Sequence, residues 1–125
     1  MGYVLVFVGA GIGGALRQFV NVTVMTWLGS GFPVGTLIVN IVGSTVMGCL
    51  AGYFAFRGGG LEAWRLFLTT GVLGGFTTFS TFSLDLVSLY ERGSLPVAAA
   101  YALASLVLSV GGLFGGLMVM RGTLS

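Results

Sequence analysis

Hydrophobic positions run almost unbroken along this 125-residue chain, and charge interrupts them at only eight places. These are Arg17, Arg57, Glu62, Arg65, Asp85, Glu91, Arg92 and Arg121. The uncharged runs between them cover residues 18–56, 66–84 and 93–120. A helix rising 1.5 Å per residue needs about 20 apolar residues to cross roughly 30 Å of hydrocarbon. The first run is too long for one crossing, and the turn-forming sequence Gly29-Ser30-Gly31-Phe32-Pro33 divides it. The pattern therefore predicts four transmembrane helices, over residues 3–28, 32–56, 63–90 and 95–120. Trp27, Tyr53, Trp64 and Tyr90 fall near the ends of these spans, where amphipathic rings suit the headgroup boundary. Ser94 and Pro96 fit the start of the fourth helix, one as a cap and one just inside it.

Composition turns this pattern into a fold class. Charged residues make up 6% of the chain and hydrophobic ones 56%, whereas a soluble domain carries about 25% charged residues. Eight charges cannot cover a soluble surface of this size. The expectation is an all-α integral membrane protein, a single domain over residues 1–125. A cleaved signal peptide does not fit the first span, which is too long, lacks a basic leader and carries Arg17 internally. Barrel strands would alternate in polarity, and these runs do not. Cys49 stands alone, which excludes an intrachain disulfide or a cysteine cluster. Asn21-Val22-Thr23 matches a glycosylation pattern, but inside a span it is discarded.

Glycine occurs 23 times, and pairs recur at i and i+4: Gly9/Gly13, Gly48/Gly52, Gly71/Gly75, Gly111/Gly115 and Gly112/Gly116. Small residues at that spacing let helix backbones approach closely in lipid. So much small-residue surface on four helices predicts packing against another copy. Gly9, Gly11 and Gly14 also spell G-x-G-x-x-G, but the first acid is Glu62 and no α/β pattern follows. A dinucleotide site is excluded, and helix packing explains these glycines.

Polar residues at membrane depth are where function is expected. Arg17 lies well inside the first span, roughly 15 Å of helix before Trp27. It either snorkels or faces a cavity or partner, and a fixed positive charge there points to an anion. The third span contains Gly74-Gly75-Phe76-Thr77-Thr78-Phe79-Ser80-Thr81-Phe82-Ser83. Two glycines followed by hydroxyl residues favour local unwinding, tolerated at this depth only where backbone lines a cavity or is buried in protein. The plainer alternative is a Ser/Thr packing interface. Phe79 and Phe82, at i and i+3, project from one face. Asn40 adds a carboxamide in the second span, and Tyr101, Ser105 and Ser109 form a hydroxyl stripe along the fourth.

Gly35-Thr36-Leu37-Ile38-Val39-Asn40 and the third-span motif closely resemble the Fluc/CrcB fluoride channel family, and Gly13-Gly14-Ala15-Leu16-Arg17 looks like that family's first-helix signature. The resemblance covers essentially the whole chain. It implies an antiparallel, dual-topology homodimer with a broken third helix and two fluoride pores, in the cell's inner (plasma) membrane. Phe79 and Phe82 would line the pore, Asn40 would be its asparagine, and Tyr101, Ser105 and Ser109 its polar track. The hydroxyls of Thr78, Ser80, Thr81 and Ser83 would add donors, and Arg17 would be the vestibule arginine. Gly74 and Thr77 would give backbone carbonyls to a structural sodium ion that is not transported. Asp85 stands where the family usually has an acid.

The chemistry is compatible with that resemblance. Fluoride is small and strongly hydrated, so dehydrating it needs dense hydrogen-bond donors, and phenylalanine edges carry the positive part of the ring quadrupole. There is no histidine, catalytic pair or nucleotide loop, so no enzyme is expected, and no nucleic-acid partner. A four-helix proton-coupled multidrug transporter is an alternative, but it needs an embedded carboxylate, for which Asp85 is the sole candidate. A non-transporting membrane scaffold would explain the glycines but not the convergence of polar groups.

Overall fold

The computed structural model describes residues 1–29, 31–57 and 62–124. Ser30, part of the expected turn, lies outside them. Helix α1 spans Gly2–Leu28 and α2 spans Val34–Arg57. The third crossing, Glu62–Glu91, is composite. It comprises α3 (Glu62–Arg65), a π-helical stretch (Leu66–Leu73), α4 (Gly74–Phe76) and α5 (Phe79–Glu91). Helix α6 spans Leu95–Leu124. Four of these segments are long and apolar enough to cross a membrane, as the hydropathy pattern requires.

Short connections set the topology. Helix α1 stops at Gly29, whose φ of 78° only glycine adopts without strain, and whose amide donates to the Met25 carbonyl. Between α5 and α6 the chain reverses through Gly93 (φ 79°), with the Ser94 amide reaching back 3.1 Å to the Leu89 carbonyl. That is the Schellman arrangement, and it turns α6 antiparallel to α5 within three residues.

Glycine decides which helices touch. A Cβ at Gly9 would lie 2.8 Å from the Phe67 carbonyl oxygen, and one at Gly13 would overlap the Val72 carbonyl oxygen. Helix α1 is thus pressed backbone to backbone on the π-helical stretch, with Gly71 and Gly75 answering from the other side. Helix α2 packs along α6 the same way, through Gly48 and Gly52 against Leu113 and Met120, and Gly112 and Gly116 against Thr45 and Cys49. Four of the five glycine pairs are therefore used within one chain. Gly111 and Gly115 meet nothing within 4 Å and lie on an open face.

The buried core is correspondingly small. Leu89, Ala98 and Tyr101 form its centre, with Phe32, Leu37, Phe82 and Leu86 packed around them. Large apolar side chains such as Phe7, Phe19, Leu103 and Phe114 face outward, as a lipid-facing surface allows.

Candidate functional site

Helical backbone is interrupted at two residues of the third crossing. Thr77 (φ −79°, ψ 157°) and Thr78 (φ −152°, ψ 121°) are extended. Asn40 of α2 holds this point by pairing with Thr78 twice: the Thr78 amide donates to Oδ1 at 2.9 Å, and Nδ2 donates to the Thr78 carbonyl at 3.1 Å. The carboxamide acts as a substitute peptide group, meeting the cost of unpaired backbone at membrane depth. Thr78 then caps α5, its Oγ1 accepting from the Thr81 amide at 3.2 Å.

These bonds redirect two amides. In a continuous helix Thr78 N–H would bond the Gly74 carbonyl and Thr81 N–H the Thr77 carbonyl. Both now point elsewhere, so the Gly74 and Thr77 carbonyls lose their helical donors. A third carbonyl, that of Gly75, accepts from Arg17 Nε at 3.2 Å.

Beside the interruption runs a groove of about 270 Å³. Asn40, Thr77, Thr78, Phe79, Phe82, Ser105 and Ser109 line it, together with Gly43, Ser44 and Met47. The Phe79 and Phe82 ring centroids are 5.7 Å apart, tilted by 45°. Phe82 also lies against the Tyr101 ring, at 5.2 Å. Ser105 is 6% exposed. Its hydroxyl oxygen and that of Ser109 are buried with no hydrogen-bond partner among the described residues. Buried hydroxyls are normally satisfied, so two orphans in one groove wall mark a place built to offer donors to something else.

Several residues expected in the same place lie apart from it. Tyr101 is fully buried, meets Phe32 edge-on, and donates its hydroxyl to Asp85 Oδ2 at 3.3 Å. Thr81 faces a second cavity of about 480 Å³, shared with Gln18, Asn21, Thr36, Asp85, Ser88 and Arg92. Ser80 is exposed beside Thr78, and Ser83 bonds the Phe79 carbonyl of its own helix. Arg17 lines neither cavity.

Three residues were not singled out from sequence. Thr36, 5% exposed, sits one turn before Asn40 on the same face of α2. Gly43 sits one turn after it, and any side chain there would overlap the Thr77 methyl group. Ser44 completes that wall. The helical spacing from Asn40 was the available signal for Thr36, Gly43 and Ser44.

Comparison with known proteins adds independent findings. A family profile described as CrcB-like protein, Camphor Resistance (CrcB), matches residues 4–117. The chain is 55% identical over 121 residues to Fluoride-specific ion channel FluC 2 of Nitrobacter hamburgensis, covering 97% of this chain and 98% of the relative. It is 57% identical over 117 residues to Fluoride-specific ion channel FluC of Methylobacterium nodulans, covering 94% of each. It is 54% identical over 121 residues to the protein of the same name from Granulibacter bethesdensis, covering 97% of this chain and 95% of that one.

Proposed function

The chain belongs to the CrcB-like family, and on that premise we propose that it is a fluoride-selective channel passing the ion down its electrochemical gradient. The observation that carries this reading is the groove that brings Ser105 and Ser109, whose buried hydroxyls have no partner among the described residues, together with Asn40, Phe79 and Phe82. A dehydrating fluoride ion takes donors from those hydroxyls and from the second Nδ2 hydrogen of Asn40, whose first is committed to Thr78. The Phe79 and Phe82 ring edges supply positive quadrupole where water is excluded. A larger halide gains less from each such donor and meets a narrower path.

The functional unit is an antiparallel homodimer carrying two pores in the inner membrane. Phe79 is 77% exposed, and the groove is open along one side in the single chain. A second, inverted copy closes that side and converts each groove into a path. The open Gly111/Gly115 face gives α6 a surface on which close packing with that copy is free of side chains.

Sodium fits the chemistry of the donor set. The carbonyls of Gly74 and Thr77 have lost their helical donors, and unwound carbonyls suit a hard monovalent cation. Among the described residues no cluster of three His, Cys, Asp or Glu side chains competes as a metal site. Gly74 and Thr77, repeated by the two-fold partner, would hold the ion, which supplies a fixed positive charge linking the two interruptions. Asn40 and the Thr78 cap hold the Thr78 and Thr81 amides away from both carbonyls.

Flux from proteoliposomes tests the reading. Vesicles loaded with fluoride should empty rapidly through the protein when charge is compensated, while chloride-loaded vesicles retain their contents. Equal release of both ions, or release of neither, overturns it.

A further inference from the structure

We infer that Arg17 is a positioning residue for the interrupted helix, acting through the Gly75 carbonyl rather than as a charge that attracts anions. Of the carbonyls released at the interruption, that of Gly75 is taken by a side chain, accepting from Arg17 Nε at 3.2 Å. In a continuous helix that carbonyl would accept from the Phe79 amide, and Phe79 is instead the first residue of α5. The contact is possible because Gly75 has no side chain, since any Cβ there would overlap the Ala10 carbonyl oxygen of α1. The guanidinium folds back along α1, its Nη2 3.9 Å from where a Gly14 Cβ would stand. It lines neither the 270 Å³ groove nor the 480 Å³ cavity. A donor to a carbonyl that has lost its helical partner removes the cost of leaving that acceptor unpaired at membrane depth. Gly75 lies between Gly74 and Thr77, so fixing its peptide fixes the direction of the neighbouring carbonyls. Asn40 grips the interruption from α2 and Arg17 from α1.

The bond uses Nε, and that detail separates the two roles. In Arg17→Gln the amide nitrogen stands the same number of bonds from Cα as Nε did, so the donor is kept and the charge removed. In Arg17→Lys the charge is kept and the donor moves one bond further out. Arg17→Met removes both. Flux per assembled protein, normalised by size-exclusion chromatography, is measured for the four forms across a sodium series with a large organic cation as replacement.

The inference predicts that Arg17→Gln keeps flux and sodium requirement close to the parent. Arg17→Lys and Arg17→Met should need up to roughly tenfold more sodium, the upper scale of one lost hydrogen bond, and recover at high sodium. Near-parental flux in Arg17→Lys with loss in Arg17→Gln overturns the inference and assigns Arg17 an electrostatic role. Four equal curves also overturn it. The sodium shift rests on the sodium reading above, whereas the order of Gln over Lys does not. If parental flux is independent of sodium, that reading fails and the Gln–Lys order alone decides Arg17. If Arg17→Met does not assemble, the same pair decides.

Discussion

Replacing Ser109 or Ser105 with alanine should make the protein more stable and less active, a combination that packing residues do not give. Each Oγ is buried and unpartnered among the described residues. Such a hydroxyl loses its water on folding and regains nothing, which costs about 1–3 kcal/mol. Alanine removes the penalty and leaves a gap the size of one oxygen, so unfolding in detergent should shift toward higher denaturant or temperature. Transport should move the other way. If the hydroxyl donates to a dehydrated fluoride, losing one bond to a charged partner weakens that point of the path by about 1.5–3 kcal/mol. That corresponds to roughly a ten- to hundredfold fall in flux per assembled protein. Thr123→Ala is the control, because Thr123 is exposed and its Oγ1 bonds the Val119 carbonyl of its own helix at 2.8 Å. It should change neither quantity appreciably. Unaltered flux in Ser105→Ala and Ser109→Ala, or a loss of stability in both, refutes the reasoning.

Asn40→Ala should abolish flux and destabilise the fold by about 1–3 kcal/mol, since the Thr78 amide loses its acceptor while its carbonyl, at the N-cap of α5, still accepts the first helical bond; thermal unfolding in detergent measures it. Gly13→Ala should impair assembly, because its Cβ overlaps the Val72 carbonyl oxygen and stands 2.7 Å from the Phe76 amide, both of them backbone atoms. Gly11→Ala, with nothing within 4 Å, should assemble normally. Basic residues divide weakly between the two ends, Arg57, Arg65 and Arg121 against Arg92, so reporter fusions at the C-terminus should mark both sides of the membrane. Two lysines added at either terminus should fix one orientation and lower activity when that form is expressed alone.

The number and limits of the spans were legible because charge is so scarce that hydropathy leaves little choice. Expected spans 32–56 and 63–90 meet observed helices Val34–Arg57 and Glu62–Glu91. The π-helical stretch was not legible. It lies where α1 presses on the third crossing through Gly9 and Gly13, and no local propensity encodes that geometry. Spacing placed Ser105 and Ser109 together but overextended the stripe to Tyr101. Each step of four residues drifts by about 40° on a helix of 3.6 residues per turn. Tyr101 is accordingly turned toward Asp85 and Phe32, away from the groove. On α5, Thr81 opens into the second cavity and Ser83 bonds the backbone of its own helix. For Arg17 its place in the first span told depth and sign but no direction, and direction is what joins it to Gly75.

The central claim is that fluoride passes along the phenylalanine-lined groove, and one comparison tests it most directly. Isoleucine nearly preserves the volume of phenylalanine while removing the ring quadrupole, and a volume-conserving swap usually costs under about 1.5 kcal/mol. Phe79 and Phe82 line the groove, whereas Phe76 ends α4 outside it. Fluoride flux per correctly assembled dimer should fall severely in Phe82→Ile and Phe79→Ile and stay near the parental value in Phe76→Ile. Equal, near-parental flux in all three would contradict the account and leave the phenylalanines as packing alone.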